Sequence, residues 1–232
     1  MNDKPFTVAR ALSETLEPLL HVDGFHMLGS KRYVRPCDLF AQFIFIVVEQ
    51  SKFFVEFGVM PLFVPSEHFD LTVGDSGRHY GAQPEARLRA ALVLICQSYE
   101  QKYRPWFEMT RTLEGYAHVS RERLRISASQ SDGIDVPSRP LGHHDLFRLG
   151  CCDLLMGKVA DGRMQIERAR DQYRNEADGR RTWAESCALR CDDILQAIDD
   201  GSDAEVLRKW TQQTAAALGL DKLKSLQKRG HP

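Results

Sequence analysis

The side chains best suited to acid–base chemistry gather in one short polar stretch, where His68, Asp70, Asp75, Arg78 and His79 stand among Gly74, Gly77 and Gly81. Histidine exchanges protons near neutral pH, aspartate orients an imidazole or accepts a proton, and arginine holds developing negative charge. On a loop leaving a sheet, that set suits hydrolysis. The other reading of the same residues is a solvated loop whose aspartates close turns through their own backbone. A second group has metal-ligand chemistry: His143 and His144 precede Cys151 and Cys152, and Cys187 and Cys191 are four apart, hence on one helix face. The spacing of a zinc knuckle occurs nowhere, adjacent cysteines on a helix point apart, and cysteine is among the most buried residue types. These thiols are read as core residues of a helical bundle, and no metal and no cofactor is expected.

Nucleophilic catalysis needs a serine or cysteine with a base in reach. Cys37, Cys96, Cys151 and Cys187 lie in apolar or helical contexts, and the chain has no G-x-S-x-G, Walker A, G-x-G-x-x-G or H-E-x-x-H pattern. The leading expectation is therefore a non-catalytic module that binds a protein partner. The alternative is a cytosolic hydrolase using the stretch from His68 to His79.

Bulk properties narrow the classes. The 232 residues are 43% hydrophobic and 27% charged, ordinary for a globular protein able to bury a substantial core. A formal net charge of -1 lacks the basic excess that phosphate binding uses, so no nucleic-acid partner is expected. No apolar run approaches the roughly 20 residues of a membrane span. The first residues lack a signal-peptide core, and the six cysteines are expected as reduced thiols in a cytoplasm.

These groups need elements to position them. Phe6, Ala9, Leu12, Leu16, Leu19 and Leu20 predict a helix over 5–20, with Pro18 expected to kink or end it. A hairpin arm follows around Gly29-Ser30. Residues 43–48 are apolar on both faces, which predicts a central strand, and 52–59 alternate as a second strand paired to it. Residues 66–84 read as a polar loop. Pro84 opens a helix whose stripe is Leu88, Ala91, Leu92, Ile95 and Tyr99; a helical or mixed segment runs on to about 128, with LRISAS open to a strand. SDGIDVPSRPLGHH, 131–144, has linker composition, and helices are predicted over 145–156, 159–175, 180–198, 203–218 and 221–227. The expected architecture is α+β: a domain over 1–130 with a short antiparallel sheet and flanking helices, a linker, and an all-helical region over 145–232. Trp106, Trp183 and Trp210 fall within helical stripes and read as packing; an exposed one would be an interface anchor. The basic run at 121–125 and the acids Asp192, Asp193, Asp199, Asp200 and Asp203 read as solvated faces, the alternatives being that they pair within the molecule or mark separate partner surfaces.

LLHVDGFH, then KRYVR, then QFIFIVVEQSKFFVEFGV resembles the bacterial family catalogued as domain of unknown function 4304, over residues 5–65. The resemblance implies an α+β fold and a role among toxin–immunity partners, and it transfers no catalytic residue. LFRLGCCDLLMGKVADGRMQIERARDQY resembles one helical hairpin of a tetratricopeptide-type repeat. Stable arrays need about three such repeats, so a single antiparallel hairpin is expected.

Overall fold

A computed structural model describes residues 7–29, 31–49, 52–70, 73–130, 142–176 and 181–223. By contacts the chain divides into two compact units, one formed by 1–60, 69–109 and 219–232, the other by 61–68 and 110–218.

The first unit is α+β. Helix α1 (Val8–Val22) begins where the Thr7 hydroxyl accepts from the Arg10 backbone N–H, and buries Ala11, Leu12, Leu16 and Leu20. Pro18 neither stops it nor shortens it. The proline lies on the exposed side, where the carbonyl deprived of its donor can meet water. Strands β1 (His26–Met27), β2 (Arg32–Cys37), β3 (Phe40–Glu49), β4 (Lys52–Pro61) and β5 (Val73–Ser76) lie side by side in that order, and β6 (Tyr80–Gly81) continues the edge beyond β5 by pairing with the start of β4. The sheet is antiparallel. Phe40, Ala41, Gln42, Phe43 and Ile44 are all buried, so β3 is covered on both faces as its composition requires. Helix α2 (Glu85–Ser98) buries Leu88, Ala91, Leu92 and Ile95, passes through one π-helical turn (Tyr99–Tyr103), and continues as α3 (Arg104–Met109).

The polar stretch after β4 is thus more than a loop. Gly77 explains how it forms a broken edge strand: its N–H donates to the Val55 carbonyl, and a Cβ there would lie 2.6 Å from that oxygen. Only glycine allows this approach.

The second unit is helical: α4 (Leu113–Gln130), α5 (His143–Leu155), α6 (Val159–Arg174), α7 (Arg181–Asp199) and α8 (Asp203–Ala217). LRISAS is helical, part of α4, and α4 clusters with the helices that follow it, so the contact boundary falls at 109–110 where composition suggested 130. Most of the expected linker, 131–141, and the end of the last expected helix lie outside the described residues. Residues 61–68 join this unit through the Thr214 hydroxyl, which donates to the Val64 carbonyl (3.3 Å), and Arg190, which donates to the Pro65 carbonyl (3.2 Å). Helices α5 and α6 approach closely because Gly150 faces Ile166 and Gly162 faces Leu154. No described helix is long and apolar enough to cross a membrane.

Candidate functional site

Two concave regions carry chemistry, one in each unit. The first is a cavity of about 260 Å³ under the broken edge strand. Val55 and Phe57 of β4 and Ile95 of α2 supply apolar wall; Tyr80, Ser98 and Tyr103 add hydroxyls; Asp75, Arg78 and Lys102 add charge. The Tyr103 ring stacks on Phe57, with centroids 3.7 Å apart and planes 10° from parallel. Its hydroxyl donates to Asp75 Oδ2 (2.8 Å), and Lys102 Nζ donates to the same oxygen (2.6 Å). Burial, then Asp75, pushes the Tyr103 phenol up to about 12, and the hydrogen bond to Asp75 raises Lys102. At neutral pH both keep their protons, so each is a hydrogen-bond donor and neither is poised to accept a proton.

The π-helical turn is what brings these residues to the sheet. One extra residue in the turn leaves both Tyr99 and Tyr103 buried on the sheet side. The Tyr99 hydroxyl donates to Asp23 Oδ2, which also accepts from Arg104 Nε at 2.7 Å. Residues 99–104 therefore supply a tyrosine hydroxyl and a cation to each of two carboxylates, Asp23 at the end of α1 and Asp75 on β5. Beside the Asp23 group, buried Arg35 donates to Gln42 Oε1 (2.7 Å), the Asp23 carbonyl (2.9 Å) and Glu108 (2.9 Å). Its guanidinium lies over the Phe25 ring at 4.9 Å. Gln42, fully buried in β3, donates onward to the Phe107 carbonyl. This network locks α1, the sheet and α3 together.

The structure separates the five loop residues named from sequence. Asp75 and Arg78 line the cavity. His79 is exposed and lays its ring 4.6 Å from that of Phe54, and it is not among the lining residues. Asp70 is exposed; His68, also exposed, is turned by Ser66, whose hydroxyl donates to its carbonyl at 2.8 Å. Sequence reasoning missed Tyr80, Ser98, Lys102 and Tyr103. Tyr99 and Tyr103 stand four apart at the end of a helical stripe, which signals burial, but their pairing with carboxylates far back in the chain has no sequence signal.

The second region is a groove of about 570 Å³ between α6 and α7. Tyr173, Ala184, Ala188 and Leu189 are its apolar part, and Arg174, Glu176, Glu185 and Asp192 are its charged part. Tyr173 joins the groove to the former metal candidates. Its hydroxyl lies 2.8 Å from His144 Nδ1, and its ring centroid is 4.4 Å from that of His143. Trp183 completes the cluster, 4.8 Å from His144 and 5.8 Å from Tyr173. Burial, then Arg148, His143 and Arg190, lowers His144 to about 4, so it is a neutral ring at pH 7. His143 Nδ1 is 3.3 Å from Glu176. Cys187 and Cys191 are buried, and burial raises both thiols, Cys191 to about 12. His143 and His144 take part in ring packing, and among the described residues no three His, Cys, Asp or Glu side chains gather as metal ligands would.

The charged runs pair, though not with each other. Arg121 reaches the fully buried Asp153 of α5, whose other oxygen accepts from Gln165 Nε2 at 2.7 Å. On α7, Asp192 pairs with Arg174 (2.7 Å) and Arg170 (3.6 Å), and Asp199 pairs with Arg163. Of the tryptophans, Trp183 packs in the inter-helix cluster with His144 and Tyr173 yet keeps 41% of its surface exposed, and Leu189 on the same helix is 64% exposed. Neither protein-family models, nor curated proteins, nor solved structures match this chain.

Proposed function

We propose that this chain is a non-catalytic protein-binding module whose partner seats on the α6–α7 groove. The observation that carries the reading is the exposure of Trp183 and Leu189 beside a groove walled by Tyr173, Ala184 and Ala188. Partly exposed aromatic side chains fixed by their neighbours are the usual anchors of an interface, because they bury large area at low entropic cost. An apolar trough with charged margins suits the apolar face of a partner helix. Arg174 and Asp192 of the groove already form an ion pair, Glu176 lies 3.3 Å from His143, and His144 is held neutral, which favours binding over proton transfer. The immunity-type or regulatory role rests on the resemblance of residues 5–65 alone, and six free thiols accord with a reducing cytoplasm.

The test is capture of the tagged chain and of its Leu189→Asp variant from native lysate, with circular dichroism on both. Leu189 is exposed, so the variant keeps its fold. One stoichiometric protein companion, reduced at least about tenfold by the variant, is the expected result. No companion, or one indifferent to Leu189→Asp, overturns the groove reading. The hydrolase alternative draws on Asp75 and Arg78 lining a common cavity, and it requires His79→Ala to abolish an activity while the fold survives.

A further inference from the structure

We propose that the cavity under the broken edge strand binds a small organic monoanion with a flat apolar body, an aromatic carboxylate by chemical class. The inference is independent of the α6–α7 groove and concerns the other unit.

Charge comes first. The lining holds one carboxylate and two cations, Asp75 against Lys102 and Arg78. Asp75 is already engaged by Lys102 and by the Tyr103 hydroxyl, both on one oxygen. Arg78 is exposed at the lip and makes no hydrogen bond or ion pair with the described residues. Among the described residues the cavity is left with one uncompensated positive charge, carried by a planar fork that matches a carboxylate through two parallel hydrogen bonds. A cationic ligand would face Lys102 and Arg78 together, and a dianion would exceed the one cation left free among the described residues.

Shape gives the rest of the ligand. The stacked Phe57 and Tyr103 rings and the side chains of Val55 and Ile95 are all buried by their neighbours, so they form a packed apolar floor to the cavity. A volume of about 260 Å³ lies just under the range of drug-sized ligand pockets, which limits the body to about one ring. Tyr103 keeps its proton and stays bound to Asp75, so the aromatic wall is fixed before the ligand arrives.

The experiment is a nuclear magnetic resonance titration of the full chain with benzoate, with benzamide as the uncharged match in shape, on wild type, Arg78→Ala and Arg78→Lys. Benzoate is expected to saturate in the millimolar range, with shifts at Lys102 and Tyr103, and Arg78→Ala is expected to weaken it about tenfold. Benzamide should bind wild type about tenfold more weakly than benzoate and ignore the substitution. Arg78→Lys should recover part of the loss, since it restores charge without the fork. Because Arg78 is exposed and unpaired among the described residues, unchanged thermal midpoints will show that the variants are folded. Absence of saturation by about 10 mM benzoate, equal binding of benzamide, or benzoate binding indifferent to Arg78→Ala each overturns the proposal.

Discussion

His144 sits among Tyr173, Trp183 and His143 with its ring nitrogen on a tyrosine hydroxyl, and its proton affinity follows from that placement. The ring's ordinary value is 6.5, and burial lowers it to about 4 in the folded chain. Between those two values the unfolded chain binds a proton that the folded chain does not, so stability falls as pH drops through the window. His144→Gln cannot titrate, and its amide oxygen can still accept from Tyr173. The wild-type thermal midpoint should therefore drop more between pH 7 and pH 4.5 than that of His144→Gln. Parallel slopes for the two proteins would refute the assignment. Of this neighbourhood the sequence showed the residue types and the one-face spacing of Cys187 and Cys191, enough to expect buried thiols. It could not show that His143 and His144 turn towards rings on α6 and α7, because that depends on helix packing between segments far apart. The loop residues divide for the same reason: Asp75 meets Lys102 and Tyr103 only through tertiary contact, whereas His68 and His79 stay in solvent.

At the scale of elements, the α5–α6 hairpin is set by two glycines facing each other's helix. A Cβ on Gly162 would come within 2.8 Å of Leu154 and 2.9 Å of the Gly150 carbonyl, and one on Gly150 within 2.6 Å of Ile166. Alanine in place of glycine favours an isolated helix by about 1 kcal/mol. Overpacking at a close contact costs about 1–3 kcal/mol, and the obstruction at Gly162 includes backbone that cannot swing away. The second effect wins. Gly162→Ala should lower the urea midpoint, and a midpoint equal to or above wild type would show that the helices separate without cost. Most elements were legible in sequence: α1, α2, the two long strands and the helices from α5 to α8 all follow hydrophobic periodicity. The edge strand was not, because β5 and β6 are short, polar and defined by pairing with β4 through Gly77. LRISAS was ambiguous for another reason: Leu124, Ile126 and Ala128 alternate with Arg125, Ser127 and Ser129, a strand-like period too short to outweigh the helix around it.

For the whole molecule, composition changes along the chain more simply than contacts do. The chain passes between its two units at 60–61, 68–69, 109–110 and 218–219, so neither unit is one continuous segment. Leu62 and Phe63 are buried, and the adjoining Val64 and Pro65 carbonyls accept from α8 and α7. A fragment of residues 131–232, cut where composition suggests a linker, lacks α4, the Arg121 partner of buried Asp153, and this inserted segment. An uncompensated buried carboxylate costs several kcal/mol on top of the lost apolar burial. The fragment should show a broad, non-cooperative thermal transition by circular dichroism, where the full chain melts sharply. A sharp transition at the full-chain midpoint would mean that the insertion contributes nothing.

The π-helical turn also has a bearing on the order in which the protein can form. Asp23 waits for Tyr99 and Arg104, 76 and 81 residues later, and Arg35 waits 73 residues for Glu108. Gln42 waits 65 residues for the Phe107 carbonyl. Contacts of such separation close large loops before they repay the entropy, and they slow folding. On a ribosome, α1 and the strands from β1 to β4 emerge before the π-helical turn and α3, which fasten Asp23, Arg35 and Gln42. Until residue 108 clears the exit tunnel, β3 has its strand neighbours but no fastening, and the nascent chain must hold its apolar faces apart from other chains for that interval.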